Sequence, residues 1–113
     1  MSHQNSYLQF LSLCKFPHTD NLPPNITPDG QALLGIIAVA NAEGHPLTVM
    51  QTMALQHLAS PATIHRRVDT LRESLLIDMV FHKGDRRTKY LVTTPLADRY
   101  FERMGELMRL VFA

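Results

Sequence analysis

The sequence contains one cysteine and no tryptophan among its 113 residues. A lone cysteine, Cys14, excludes an internal disulfide and a cluster of thiolate metal ligands. It lies in the apolar segment LSLCKF, where no basic cluster is nearby. We therefore expect an unreactive, buried thiol.

Long hydrophobic runs are also missing. The longest extends from Ala32 to Ala42 and is interrupted by Gly35 and Asn41, so it falls well short of the roughly 18 residues that cross a bilayer. The first ten residues, MSHQNSYLQF, lack the basic start, apolar stretch and cleavage site of an export signal. These features predict a cytoplasmic protein with no membrane partner.

Patterns typical of catalysis and metal binding are absent as well. No nucleophile–base pair, phosphate-binding glycine loop or carboxylate pair lies in a sequence context typical of catalysis. We therefore expect no enzymatic activity and no cofactor. The histidines lack the spacing of metal ligands, so we expect no metal site. They are His3, His18, His45, His57, His65 and His82.

The residues that are present suit a small globular protein. A hydrophobic content of 45% in 113 residues is enough for one packed core and predicts a single domain, residues 1–113. The net charge of +1 is uneven, because His57–Tyr90 holds seven Lys or Arg against four acids, whereas the remainder holds four against six. An anionic partner would therefore meet the segment that carries +3 rather than the rest, which carries −2.

Hydrophobic spacing and proline positions predict two helices in the first part of the chain. Helical spacing runs over Ser6–Phe16, where Pro17 ends it. An extended connector follows over residues 17–27. Thr27 then caps a helix that reaches about Ala42 and is apolar nearly all round, which predicts burial on several sides.

Two further helices follow in close succession. After a possible sheet edge at HPLT, Thr48 caps a helix over Val49–Gln56. A turn over His57–Ala59 separates it from a helix that Ser60 and Pro61 open and that reaches about Ser74. This second helix has a sharply divided face, which is typical of a helix-turn-helix. Its apolar side holds Ile64, Val68, Leu71 and Leu75.

A β-hairpin and a last helix complete the pattern. The β-prone segments Leu76–Phe81 and Thr88–Thr94 are joined by HKGDRR, whose Gly and Asp favour a turn. We call this basic-tipped hairpin the wing. Thr94 and Pro95 open a final helix, whose apolar stripe is Leu96, Tyr100, Met104, Leu107, Met108 and Val111.

A helix-turn-helix followed by a basic hairpin predicts a mainly α fold with a small β-hairpin, the winged helix-turn-helix. One helix of such a domain enters the major groove of DNA, while the wing reaches the flanking backbone or minor groove. We expect residues 1–26 to form an N-terminal helix and connector, residues 27–94 the winged-helix core, and residues 95–113 a C-terminal helix.

Over about Leu47–Asp98 the sequence resembles the MarR-type transcriptional regulators. The resemblance is most specific at Asp85-Arg86-Arg87 with Thr94 seven residues on, which looks like the wing signature Asp-x-Arg, five residues, Leu-Thr. It implies that Asp85 positions Arg87 for the minor groove and that Thr94 caps the last helix. Three features depart from the family: Thr93 replaces the Leu, Leu75 replaces a helix-ending Gly, and the chain is shorter.

The resemblance implies DNA contacts at the start of the second helix and at the wing. Thr63, His65 and Arg66 are expected to read bases, while Ser60, Lys83, Arg86 and Arg87 contact the backbone or minor groove. Solvated surface is the alternative for Arg66 and Arg67, and a simple turn for Asp85. The complete predicted interface is Ser60, Pro61, Ala62, Thr63, His65, Arg66, Arg67, Lys83, Asp85, Arg86 and Arg87.

The predicted function is sequence-specific binding of double-stranded DNA in transcription regulation. The family implies a homodimer through the N- and C-terminal helices, with half-sites roughly 34 Å apart. The alternatives are a winged-helix protein-interaction module and a DNA-binding module of a replication or mobile-element system. Relatives bind small effectors, but no residue here singles out a pocket. The methionines are expected to fill the core: Met50, Met53, Met79, Met104 and Met108.

Overall fold

The computed structural model describes residues 3–14, 26–82 and 84–112. The predicted connector, apart from its last two residues, and Lys83 lie outside this part, as do the side chains of Cys14 and four other helical residues. The described residues form five α-helices and one β-hairpin, in the predicted order. These are α1 (His3–Cys14), α2 (Pro28–Ala42), α3 (Val49–Met53), α4 (Pro61–Glu73), β1 (Ile77–Phe81), β2 (Lys89–Thr93) and α5 (Pro95–Phe112).

The chain divides into two compact units. One is Ile26–Thr94, and the other combines Met1–Asn25 with Pro95–Ala113. In the second unit α1 contacts α5, and an ion pair of 3.1 Å joins Arg103 to Glu106 on α5. None of the described helices is long and apolar enough to cross a membrane.

Helix α2 begins and ends as the sequence predicts. The Thr27 hydroxyl accepts a hydrogen bond from the Gly30 N–H at 3.1 Å, and Pro28 occupies the first turn. The helix buries Leu33, Leu34 and Ile37, whereas Val39 is exposed, so the predicted burial on several sides does not extend to Val39. The helix ends at Ala42, and Gly44, two residues on, takes a left-handed φ of 80°.

Helix α3 is three residues shorter than predicted. The Thr48 hydroxyl accepts from the Gln51 N–H at 3.0 Å, and the Gln51 side chain accepts from the Thr48 N–H at 2.9 Å. This capping box defines its start. The chain then leaves the helix at Ala54, and Met50 is 83% exposed, so the prediction that Met50 fills the core is wrong. Met50 projects from the first turn of a helix too short to bury every side.

Helix α4 packs against α2 and α3 through Ile64, Val68 and Leu71, all buried as predicted. Leu75 was expected on the same face, but it is 68% exposed. The helix has already ended at Glu73, and Leu75 adopts a left-handed φ of 62° that turns its side chain away from that face.

The two strands pair antiparallel from Ile77 opposite Thr93 to Phe81 opposite Lys89. The HPLT segment adds the predicted edge through one isolated bridge between Thr48 and Tyr90. Leu76, Ile77 and Leu91 are buried against the helices of this unit. The wing is therefore a part of the core at its base and projects from it only at its tip.

Candidate nucleic-acid interface

The first turn of α4 presents a hydrogen-bonded polar group on an exposed surface. The Ser60 side chain accepts from the Thr63 N–H at 3.3 Å and donates to the Thr63 hydroxyl at 3.0 Å. Arg66 donates to the same hydroxyl at 3.3 Å. Pro61 and Ala62 are exposed beside them. The cap, the hydroxyl and the guanidinium are thus held together at the end of the helix that would enter a groove first.

His65 lies on the same exposed side of α4 and has a partner one turn on. Its Nδ1 lies 3.1 Å from the Asp69 carboxylate, and the imidazole side chain is 63% exposed. The contact restrains the ring along the helix, with its Nε2 edge available for an external hydrogen-bond partner.

Arg67 differs from its neighbour Arg66. Its guanidinium forms an ion pair with the Asp29 carboxylate of α2 at 3.3 Å, and only 25% of the side chain is exposed. Its charge is partly neutralised within the protein, because the side chain extends towards α2. The geometry favours a structural role for Arg67 over the predicted contact with DNA.

The wing tip is organised by the Asp85 carboxylate. It accepts the Arg87 N–H at 2.8 Å, and the Asp85 N–H bonds the His82 carbonyl at 2.9 Å. Gly84 takes a left-handed φ of 88°, which suits glycine in this turn. Hydrogen bonds from the Arg87 backbone and then from the Thr88 side chain hold the pKa of the Asp85 carboxyl below its usual range. Asp85 therefore positions Arg87 through a hydrogen bond to the Arg87 backbone.

Arg86 and Arg87 are both exposed at this tip. Within the described part of the chain neither forms an ion pair, in contrast to Arg67. Lys83 lies outside the described residues, so its predicted contact stays a prediction. The wing tip thus presents two exposed guanidinium groups and the start of α4 presents that of Arg66, all from the segment that carries the excess of positive charge.

The sequence interpretation missed Asn41, in the last turn of α2. Its side-chain nitrogen donates to the Leu91 carbonyl at 2.9 Å, and its oxygen accepts from the Thr93 N–H at 3.0 Å. Both partners are on β2. The only signal in the sequence was a polar residue inside the longest apolar run, which does not reveal its partner.

Groups of residues suited to a metal ion do not occur in the described ranges, where no three His, Cys, Asp or Glu side chains come together. The candidate site residues form a polar helix start on α4 and a basic turn at the wing tip. Their chemistry is the binding of anionic and hydrogen-bonding groups.

Comparisons with solved structures place this architecture among known folds, whereas no protein-family model and no curated protein sequence matches the chain. The transcriptional regulator Tm0710 from Thermotoga maritima superposes with a TM-score of 0.68 at 18% identity, over 96% of this chain and 70% of that one. A MarR-like transcriptional regulator, tm0816 from the same organism, gives 0.62 at 16%, over 99% and 79%.

A third similar structure is that of FabT from Streptococcus pneumoniae in complex with DNA. Its TM-score is 0.56 at 17% identity, over 93% of this chain and 68% of that one. At such identities the likeness shows the fold. The predicted mainly α fold with a β-hairpin, the winged helix-turn-helix, is therefore confirmed as the architecture of this chain.

Proposed function

We propose that this chain is a MarR-like transcriptional regulator that binds double-stranded DNA in a sequence-specific manner. The observation that carries the proposal is the pairing, in one compact unit, of a helix with an exposed polar start and a hairpin with an exposed basic tip. Each presents groups that suit DNA, namely hydroxyl and guanidinium donors on α4 and guanidinium groups on the wing. The proposed activity is binding, without a catalytic step.

Within this interface α4 reads the major groove. Thr63, His65 and Arg66 lie near its start and supply donors and acceptors for base edges. Ser60 contacts a phosphate from the helix cap. Arg86 and Arg87 contact the flanking backbone or minor groove, with Asp85 setting the turn that carries them.

The regulator acts as a homodimer, which would place two α4 helices on half-sites about one helical turn, roughly 34 Å, apart. Exposed apolar side chains on α1 and α5 support this part of the proposal. Burying such residues against a second copy is favourable because it removes apolar surface from water. They are Tyr7, Leu8, Leu11, Met108 and Leu110.

The direct test is base discrimination. Duplexes would be enriched from a random library by binding to the protein, and affinities for enriched and scrambled duplexes measured by fluorescence anisotropy. Arg66→Ala is expected to weaken binding to the enriched duplex by about 1–3 kcal/mol and to reduce the discrimination.

Arg72→Ala is the matched control, because Arg72 is an exposed arginine in the last turn of the same helix. It should change affinity much less and leave the discrimination intact. Failure to enrich any duplex, or equal effects of both variants on discrimination, would contradict base reading by α4. Tight binding of a protein partner by the same chain would then favour the interaction-module alternative.

A further inference from the structure

Asn41 forms hydrogen bonds with β2 on the edge of the strand that faces away from β1, where a third strand would otherwise pair. One edge of β2 pairs with β1, and on its other edge the Leu91 N–H bonds the Leu47 carbonyl at 2.8 Å. Farther along that second edge, the Asn41 carboxamide bonds the Leu91 carbonyl and the Thr93 N–H, on either side of Val92. The carboxamide therefore satisfies one carbonyl and one N–H on this edge, which a neighbouring strand would otherwise pair.

The two hydrogen bonds of Asn41 constrain the orientation of β2 more than a single bond would. A single hydrogen bond would allow β2 to pivot about the contact, whereas a planar amide that donates to one residue and accepts from another sets both position and direction. The orientation of the amide is unambiguous, because a carbonyl only accepts and a backbone N–H only donates. The wing is thus attached rigidly to the C-terminal turn of α2.

Helix α2 is also attached to α4, at its other end. The Asp29 carboxylate in the first turn of α2 forms the 3.3 Å ion pair with Arg67, and buried residues of α2 and α4 pack against each other. Asp29 and Asn41 are twelve residues apart, or about 18 Å along the helix axis. Helix α2 therefore connects to α4 near its N-terminal end and to the wing near its C-terminal end.

We propose that Asn41 is the positioning residue of the wing, which sets the distance and angle between the wing tip and α4 so that both contact one duplex. This inference rests on the proposed function. Asn41 does not touch the DNA; it acts through β2 on Arg86 and Arg87.

The test is a double-mutant cycle on DNA affinity. Asn41→Ala is combined with Arg87→Ala at the wing tip and, separately, with Arg66→Ala on α4. The control is Val39→Ala, which changes an exposed residue of the same helix to the same amino acid. Asn41→Gln is a second variant, which keeps the capacity to fold. It retains the carboxamide but moves that group away from the backbone by one methylene.

In the otherwise unchanged chain, Arg87→Ala should weaken binding about tenfold or more. In the Asn41→Ala and Asn41→Gln backgrounds we expect that effect to shrink towards onefold, because a displaced wing no longer reaches the duplex. The effect of Arg66→Ala should persist in full, and Val39→Ala should leave both effects unchanged. An Arg87→Ala effect of undiminished size in both Asn41 backgrounds would overturn the positioning role.

Amide hydrogen exchange, read by NMR without DNA, tests the attachment itself. Asn41→Ala should accelerate exchange at Thr93 while leaving Leu91, which is bonded to Leu47, protected. Unchanged exchange at Thr93 would overturn the attachment even if the chain binds DNA. A wild-type chain that binds no duplex would overturn the proposed function, and with it the role of Asn41 in DNA contact, whatever the exchange result.

Discussion

Leu75 adopts a backbone conformation that favours glycine, at the point where α4 ends. Its N–H bonds the Arg72 carbonyl at 2.9 Å, and the Leu76 N–H bonds the Leu71 carbonyl at 3.0 Å. This is the bond pattern of a Schellman motif with Leu in the left-handed position. Gly44 occupies the same position after α2, where its N–H bonds the Asn41 carbonyl and the His45 N–H bonds the Ala40 carbonyl. Helices α2 and α4 therefore end in the same motif. Only α2 has a glycine in the left-handed position, so only α2 ends without backbone strain.

Leu75→Gly should stabilise the protein by about 0.5–1 kcal/mol. The left-handed conformation costs a branched side chain roughly 1–2 kcal/mol, offset in part by the greater freedom of glycine in the unfolded chain. Little apolar burial is lost, because Leu75 is 68% exposed. Urea denaturation would measure the change in the free energy of unfolding.

The matched control is Gly44→Ala, at a φ of 80° and with no atom within 4 Å of the added Cβ. It should destabilise the protein by about 1 kcal/mol through conformation alone. A Leu75→Gly chain less stable than wild type would show that the exposed leucine makes a contact worth more than the strain.

The Asp85 carboxylate ties the conformation of the wing tip to pH. Because folding lowers its pKa, the stabilisation of the turn is fully present above the ordinary Asp pKa of about 4 and is lost as pH falls through the lower folded value. The NMR shift of the Arg87 amide should therefore stay constant from pH 8 to about 5 and change only below about 4. In Asp85→Asn this change should be missing. A midpoint above pH 5 would contradict the hydrogen-bonded turn.

At the scale of the element, the proposed interface gives Ser60 of α4 two roles, in capping the helix and in contact with DNA. Its side chain caps the helix, and its hydroxyl joins the network that holds Arg66 through Thr63. Substitutions there can separate the two roles, because capping needs an oxygen acceptor whereas a phosphate repels a carboxylate.

Ser60→Asp should keep the free energy of unfolding within about 0.5 kcal/mol of wild type, since Asp caps as well as Ser. It should nevertheless weaken DNA binding by about 1 kcal/mol or more through repulsion of the nearby phosphate. Ser60→Ala should show a different profile, with a loss of stability of about 1 kcal/mol. Thermal denaturation and anisotropy measure the two effects. Unchanged DNA affinity in Ser60→Asp would place the cap away from the duplex.

Most element boundaries could be predicted because they depend on local chemistry. The starts of α2, α4 and α5 follow from a Thr or Ser before a proline, a signal contained within two residues. Boundaries set by competition among turns were harder, as at the end of α3, where Ala54 begins a series of turns in place of another helical turn.

The parts of the site that sequence could not predict depend on distant residues. Arg67 pairs with Asp29, 38 residues away, and Asn41 bonds β2 about 50 residues away. The helical pattern places Arg67 nearer the packed face than Arg66, but it does not reveal Asp29 as the partner of Arg67. The local signal predicts which face of the helix is polar, and the packing decides which arginine on that face is available.

At the scale of the whole molecule, the proposal requires two copies. The wild-type chain should sediment as a dimer at micromolar concentration. Leu110→Lys, on an α5 side chain that is 69% exposed, should shift it towards monomer because a lysine charge would be buried at the contact.

Val39→Lys is the control for this prediction, since Val39 is similarly exposed, at 58%, but lies on α2 in the other unit. It should leave the dimer intact. A wild-type chain that sediments as a monomer across the concentration range would contradict the homodimer.

The measurement that tests the central claim most directly is the salt dependence of DNA affinity. On a logarithmic plot of affinity against salt concentration, phosphate contacts give a slope of about −0.9 for each contact. We predict a steep fall for the wild type, a slope reduced by about 1 in Arg86→Ala, and an unchanged slope in Arg109→Ala, an exposed arginine on α5. Absence of binding at about 50 mM salt, or affinity that does not respond to salt, would contradict the DNA-binding account.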